Sequence, residues 1–210
     1  MHCKSLIVMM IDLCNRLVDN GLSKEELLEN VEIVGTSYQD APKLTELLAK
    51  CFNLPSQEVA LRQLIYSNAQ LDNSVKLIDK RNGDIYGFLI FSIFPINVGS
   101  PLMHINAKLG GFLIQYKQIN GHSFIIDERL RGTGLDKKML IFQKEFLDKF
   151  DLVWCAVEES LKSHVYWKRL GFKELFGIPE ATFYALFNEK TVSKNIYNYI
   201  NELRNETNHY

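Results

Sequence analysis

Residues 123–139 carry the groups best able to do chemistry. An apolar run, Ser123-Phe124-Ile125-Ile126, meets Arg129-Leu130-Arg131-Gly132-Thr133-Gly134, and a helical pattern begins at Leu135-Asp136-Lys137-Lys138-Met139. Leu135, Met139, Phe142, Phe146 and Phe150 recur at helical spacing, which puts them on one packing face. At a helix start the first backbone N–H groups lack intrahelical partners and carry the positive end of the dipole, so they favour an anion. Gly132 and Gly134 have no Cβ, which opens the backbone to a phosphate oxygen. With Arg129, Arg131, Lys137 and Lys138 alongside, the pattern supports binding of a phosphorylated ligand. A glycine turn that serves only the chain's own geometry is the alternative.

What is missing narrows the ligand. The turn lacks the Gly-Lys-Ser/Thr ending of a P-loop and the six-residue glycine pattern of a dinucleotide-binding turn. A formal net charge of -1 argues against a broad basic face, so no nucleic acid is expected. The 210 residues, 47% hydrophobic and 23% charged, have the ordinary composition of a globular protein that buries a full core. Cys3, Cys14, Cys51 and Cys155 fall at no zinc-like spacing, so no metal is expected and a reducing cytoplasmic compartment is. The apolar run 6–11 is cut by Asp12. It is too short for a membrane span and carries no cleavage site.

The turn resembles the acyl-CoA-binding motif of the GNAT superfamily of N-acyltransferases, Gln/Arg-x-x-Gly-x-Gly/Ala, matched by Arg129, Gly132 and Gly134. Further on, the apolar run 152–157 and Tyr166-Trp167-Lys168-Arg169-Leu170-Gly171-Phe172 resemble the family's next strand and its Leu-Tyr-x-x-x-Gly-Phe segment, in family order. The resemblance covers residues 31–187. It implies a GNAT-like α+β (mixed α/β) fold, with a mostly antiparallel central sheet, one parallel pair at the cofactor site and helices on both faces. It implies acetyl-CoA (coenzyme A) as cofactor, with its pantetheine arm along the backbone of Ser123, Phe124, Ile125 and Ile126. The pyrophosphate would then lie on the N–H groups of Arg131, Gly132, Thr133, Gly134 and Leu135, with Arg129 and Arg131 as side-chain contacts, the alternative being arginines that are solvated or paired to Asp127 or Glu128.

The implied reaction is direct attack by an amine, from a small molecule or a peptide, on the thioester, with no covalent enzyme intermediate. A backbone N–H near residues 124–126 would hold the oxyanion. Trp167 stands where the family often has a tyrosine that protonates the departing thiolate, and an indole N–H is too weak an acid for that. Tyr166 is the neighbouring hydroxyl, although one residue along a helix turns a side chain by about 100°. Glu128 and His122 are the candidate proton acceptors, with Glu158 and Glu159 further along. Two readings follow: an active N-acetyltransferase, or an acyl-CoA-binding or regulatory module of the same fold with little activity, which Trp167 favours.

Other elements must position these residues. Residues 4–20 are helical by period and apolar round most of the circumference, which calls for cover by the protein body or a second copy and leaves a homodimer open. Ser23-Lys24-Glu25-Glu26 reads as a capping box for a short helix to residue 30. Residues 1–30 are thus an N-terminal helical extension, 31–188 the GNAT-like domain and 189–210 a C-terminal helix and tail. Within the domain a strand is expected over 31–34, followed by helices after Asp40 and over 56–68. Strands over 75–80 and 85–94 should pair through the Asn82-Gly83 turn. Residues 95–118 form a long connection, with 112–116 as a further strand, that shapes the acceptor side or is a surface elaboration. Strands over 173–176 and 181–187 and a helix over 192–203 complete the pattern.

Overall fold

The computed structural model describes residues 16–18, 20–93, 107–158, 164–178 and 181–207. Ser23 opens the first helix, Lys24–Asn30 (α1), as a reciprocal cap: its Oγ accepts the Glu26 N–H at 3.2 Å and the Glu26 carboxylate accepts the Ser23 N–H at 2.8 Å. Strand Val31–Gly35 (β1) leads to helices Ala41–Cys51 (α2) and Gln57–Tyr66 (α3). Val75–Asp79 (β2) and Ile85–Ser92 (β3) form the expected hairpin, turned by Gly83 at φ 78°. Then come Ala107–Leu113 (α4), Gln118–Ile126 (β4), Leu135–Phe142 (α5), Lys144–Leu147 (α6) and Leu152–Glu158 (β5). The chain closes with His164–Arg169 (α7), Lys173–Ile178 (β6), Ala181–Phe187 (β7) and Ile196–Thr207 (α8).

The strands make a seven-stranded sheet in the order β1-β2-β3-β4-β5-β7-β6. Every neighbouring pair is antiparallel except β4 with β5, which is parallel. One face is covered by α1, α5 and α7, through Leu27, Met139, Trp167 and Phe172 packed on Tyr86, Phe124 and Cys155. On the other face α2 and α3 lie over β3 and β4, while α4 and α8 lie over β5, β6 and β7. No helix of the described residues is long and apolar enough to cross a membrane.

Several expectations change. The helix over 4–20 falls largely outside the described residues, and 16–18 and 20 at its end are not helical. The strand over 112–116 is instead the end of α4 and a turn, because Leu109 and Leu113, one helical turn apart, both bury against α8. The helix expected from 135 to 150 breaks at Gln143, whose Nε2 donates to Ser74 O at 3.0 Å. Phe142 leaves the stripe, 51% exposed, while Leu135, Met139, Phe146 and Phe150 still pack in one core.

Candidate functional site

The parallel pair is short. β4 meets β5 only at Gln118↔Leu152, Ile119↔Val153 and Asn120↔Trp154. Beyond that rung β4 stays with β3 to Ile126, while β5 stays with β7 to Glu158. The two inner edges therefore part and leave a gap through the sheet. A bulge sits where they part: Ile90 opposes Ser123 and Phe91 opposes Gly121, so His122 is an extra residue. A bulge bends its strand and ends regular pairing. Asp127 N–H donates to Tyr86 O at 2.8 Å. By the alternation of an antiparallel ladder, the N–H and C=O of Phe124 and Ile126 then point away from β3, into the gap. Those of Ile125 belong to β3, and its side chain is buried beneath α2 and α3, so the expected backbone contact falls to its two neighbours.

At the far end of β4 lies the glycine turn. Gly132 and Gly134 have φ of 73° and 80°, and a Cβ built on either meets nothing within 4 Å. The left-handed backbone explains the glycines locally, and the open space shows that no packing requires them. Gly134 starts α5 with no side-chain cap. Among the described residues, no backbone acceptor takes the N–H of Gly132, Thr133, Gly134, Leu135 or Asp136. Uncapped donors at a helix start are a ready anion site. Thr133 contributes its N–H only, since its hydroxyl donates inward to Leu130 O at 2.6 Å. Lys137 and Lys138 are exposed beside it.

Arg129 is a correction. Rather than reaching for a ligand, its guanidinium donates to Asp127 at 2.8 and 3.0 Å, to Val18 O at 2.8 Å and to Leu22 O at 3.0 Å. The Asp127 carboxylate also accepts the Leu17 N–H at 3.0 Å. The pairing with Asp127, the alternative to a ligand contact, is the one found: together the two fix the Glu128–Leu130 turn and tie residues 17, 18, 20 and 22 to it. Arg131 donates through Nε to Ile126 O at 3.3 Å, on the gap side of β4. Glu128 is exposed and paired with Arg16 at 3.3 Å. It lies past the end of β4, at the anion turn rather than where the strands part, which removes it as a base for chemistry at the bulge.

His122 is buried, with Nδ1 2.7 Å from Ser123 Oγ. Burial lowers its pKa from 6.5 to about 4, so it is neutral at pH 7 and resists protonation. The unfolded chain binds that proton below about pH 6.5 and the folded chain does not. Stability is therefore unaffected above that pH and falls as pH drops towards 4, by about 3 kcal/mol in all. Urea unfolding at pH 7 and pH 4.5 should show the wild type losing about 2 to 3 kcal/mol more than His122→Gln. Equal losses would show that the imidazole is not held neutral.

The aromatic pair on α7 divides its work. Trp167, where the resemblance led to the expectation of a tyrosine, is core: 2% exposed, edge-on to Phe172 at 4.8 Å and next to Gly121. Tyr166 lies against the open half of β4, its ring stacked on Phe124 at 5.1 Å. Its buried hydroxyl has no hydrogen-bond partner, and burial, with Asp136 and Cys155 nearby, pushes the phenol's pKa well up. An unpartnered proton donor thus stands at the open edge of β4. The region around Glu159 lies outside the described residues. Among the described residues no group of three or more His, Cys, Asp or Glu is placed to hold a metal.

By sequence, neither a family model nor a curated protein matches this chain. By fold it is similar to several solved structures. NAA60 from Arabidopsis thaliana in complex with acetyl-CoA is 12% identical over 75% of this chain and 99% of that one, with a TM-score of 0.52. The GNAT family N-acetyltransferase YhbS from Escherichia coli, in complex with CoA, is 19% identical over 81% of this chain and 84% of its own, with a TM-score of 0.50. PH1933 from Pyrococcus horikoshii is 16% identical over 75% and 98%, with a TM-score of 0.53.

Proposed function

We propose that this chain, whose fold is that of the GNAT N-acetyltransferases, is an acetyl-CoA-dependent N-acetyltransferase that passes the acetyl group directly to an amine. One observation carries the reading: the half of β4 that has left β5 is an open strand edge, and it runs directly into an uncapped anion turn. That pairing suits a ligand with a diphosphate at one end and an amide-bearing arm. The arm would add as a strand on the polar groups of Phe124 and Ile126, and the diphosphate would take the N–H groups from Gly132 to Asp136.

Bound there, acetyl-CoA supplies a thioester whose acyl carbon is open to a neutral amine. The chain supplies the rest. N–H groups on the gap edge of β4 are placed to meet charge developing on the acyl oxygen. Ser123 and neutral His122, next to the bulge, accept hydrogen bonds from the attacking amine on the side of α2 and α3, and its proton passes to solvent. The Tyr166 hydroxyl, on the opposite face, returns a proton to the departing sulfur once the polar groups of the ligand enter beside it and offset the burial that weakens it as an acid in the free chain. This hydroxyl favours an enzyme over a module that only binds, the reading that Trp167 had suggested.

Calorimetry with acetyl-CoA and free CoA, followed by an amine screen, tests the assignment, and failure of the wild type to bind either ligand would sink it. Tyr166→Phe should lower kcat about a hundredfold, within the range general acids supply, and leave the acetyl-CoA Kd unchanged. An unaltered kcat would remove Tyr166 from the mechanism.

A further inference from the structure

Among the described residues, the buried side-chain N and O atoms left without a hydrogen bond belong to Ser92, Asn120, Trp154, Tyr166 and Trp167. Asn120 and Trp154 lie on the two strands that bound the gap, Tyr166 and Trp167 on the helix over it and Ser92 on the next strand, β3, and buried orphaned polar groups call for an explanation. Tyr166 and Trp167 are on the α7 face. The other three form a row on the opposite face. Ser92 is the cross-strand partner of Asn120, and Asn120 is the partner of Trp154. Directly opposed residues share a face of the sheet, and Trp154 packs on Phe183 on the side of α4 and α8. The row crosses the sheet at the last rung before β4 and β5 part.

Ser92 and Asn120 are fully buried and Trp154 is 6% exposed. Both the donor and the acceptor of the Asn120 amide are unmet. Two residues earlier on the same strand and face, Gln118 donates to Leu113 O at 2.8 Å, so this region of the fold does satisfy an amide where it needs only structure. A buried amide unmet on both sides destabilises the free chain, and a ligand that presents the complementary pair relieves it.

We propose that this row docks the peptide backbone of the acceptor, next to the amine that is acetylated. Asn120 Oδ1 accepts the backbone N–H of one extended residue, Asn120 Nδ2 and Trp154 Nε1 donate to the C=O of that same residue, which lies on the same side of the strand, and Ser92 Oγ serves a further backbone group. The row contains no carboxylate, and the buried acids of the described residues, Asp79 and Asp127, lie elsewhere on the sheet. Nothing there matches the second cation of a polyamine. The inference rests on the acetyltransferase reading and narrows its acceptor from amines in general to peptide N termini.

The test uses the full chain, acetyl-CoA and three kinds of acceptor: tetrapeptide amides that differ at the first residue, spermidine and hexylamine. The wild type should acetylate at least one peptide in preference to both amines. Asn120→Leu, similar in shape and apolar, should lower kcat/KM for that peptide at least about tenfold, leave acetyl-CoA affinity unchanged and raise Tm by a few degrees. Trp154→Phe, which keeps the ring stacking, should cause a smaller fall in the same parameter. The proposal is overturned if the wild type binds acetyl-CoA but acetylates no peptide, or prefers an amine. It is also overturned if Asn120→Leu lowers Tm and leaves peptide kinetics unchanged, the mark of an amide that holds a structural water. Absence of acetyl-CoA binding by the wild type, by contrast, defeats the acetyltransferase reading itself.

Discussion

Gly132→Asp should abolish binding of acetyl-CoA and of free CoA in a protein that stays folded. The residue has φ 73°, a conformation that aspartate adopts more readily than most side chains, at a cost of about 1 to 2 kcal/mol. Its Cβ enters open space, so no packing is lost. The carboxylate then stands among the uncapped N–H groups of the turn and takes them itself. Two like charges about 4 Å apart repel by about 4 kcal/mol at the effective dielectric of a protein surface, and a diphosphate carries more than one charge. Loss of both attraction and neutrality makes a rise of at least about a thousandfold in Kd the expected result. Gly132→Asn, with the same shape and backbone tolerance but no charge, should lose far less. Calorimetry on both variants, with circular dichroism as the fold control, decides the matter: equal losses would mean that shape, not charge, sets the site.

The second large effect is on stability. Asp127 is fully buried and the Arg129 side chain is 8% exposed, so removing the carboxylate leaves a buried guanidinium with only carbonyl and amide partners. Breaking a buried pair on one side costs about 3 to 5 kcal/mol, a large share of the 5 to 15 kcal/mol typical of a folded domain. Asp127→Asn should lose about that much in urea unfolding at pH 7, and Asp127→Asn with Arg129→Met should lose less than the single change. Burial alone would raise the Asp127 pKa, but hydrogen bonds from Arg129 and the Leu17 N–H outweigh it and hold the value below its ordinary one. The pair's contribution is therefore complete at neutral pH and fades only as pH falls below about 4. A loss under about 1 kcal/mol in Asp127→Asn would show that the pair is not what secures the turn.

Features set by local chemistry were legible in the sequence. The Ser23 capping box, the Asn82-Gly83 hairpin and the left-handed glycines of the anion turn depend on neighbours a few residues away, and residue types report them. Features set by distant partners were not. The first half of β4, Gln118 to His122, is rich in poor strand formers and is a strand because β3 and β5 flank it. Arg129 matches a ligand-binding motif and has Asp127 two residues away, but the carbonyls of Val18 and Leu22 that complete its set of acceptors reach it only in the fold. The roles of Tyr166 and Trp167 follow from the space left beside Gly121 and Phe172, which admits an indole and turns the phenol to the open half of β4. Ser92, Asn120 and Trp154 lie far apart in the chain, and only strand register aligns them.

The extra residue at position 122 also bears on how such a site could arise or disappear. Ile119 and Gly121 face α7 before it, Phe124 and Ile126 face α7 after it, so the odd–even alternation changes phase at that one position. Loss of a single codon there would restore one phase along the whole strand and keep every rung with β3. The straightened edge could then pair onward with β5 past Trp154 and seal the sheet. An open site and an uninterrupted sheet are, in genetic terms, neighbours one in-frame deletion apart.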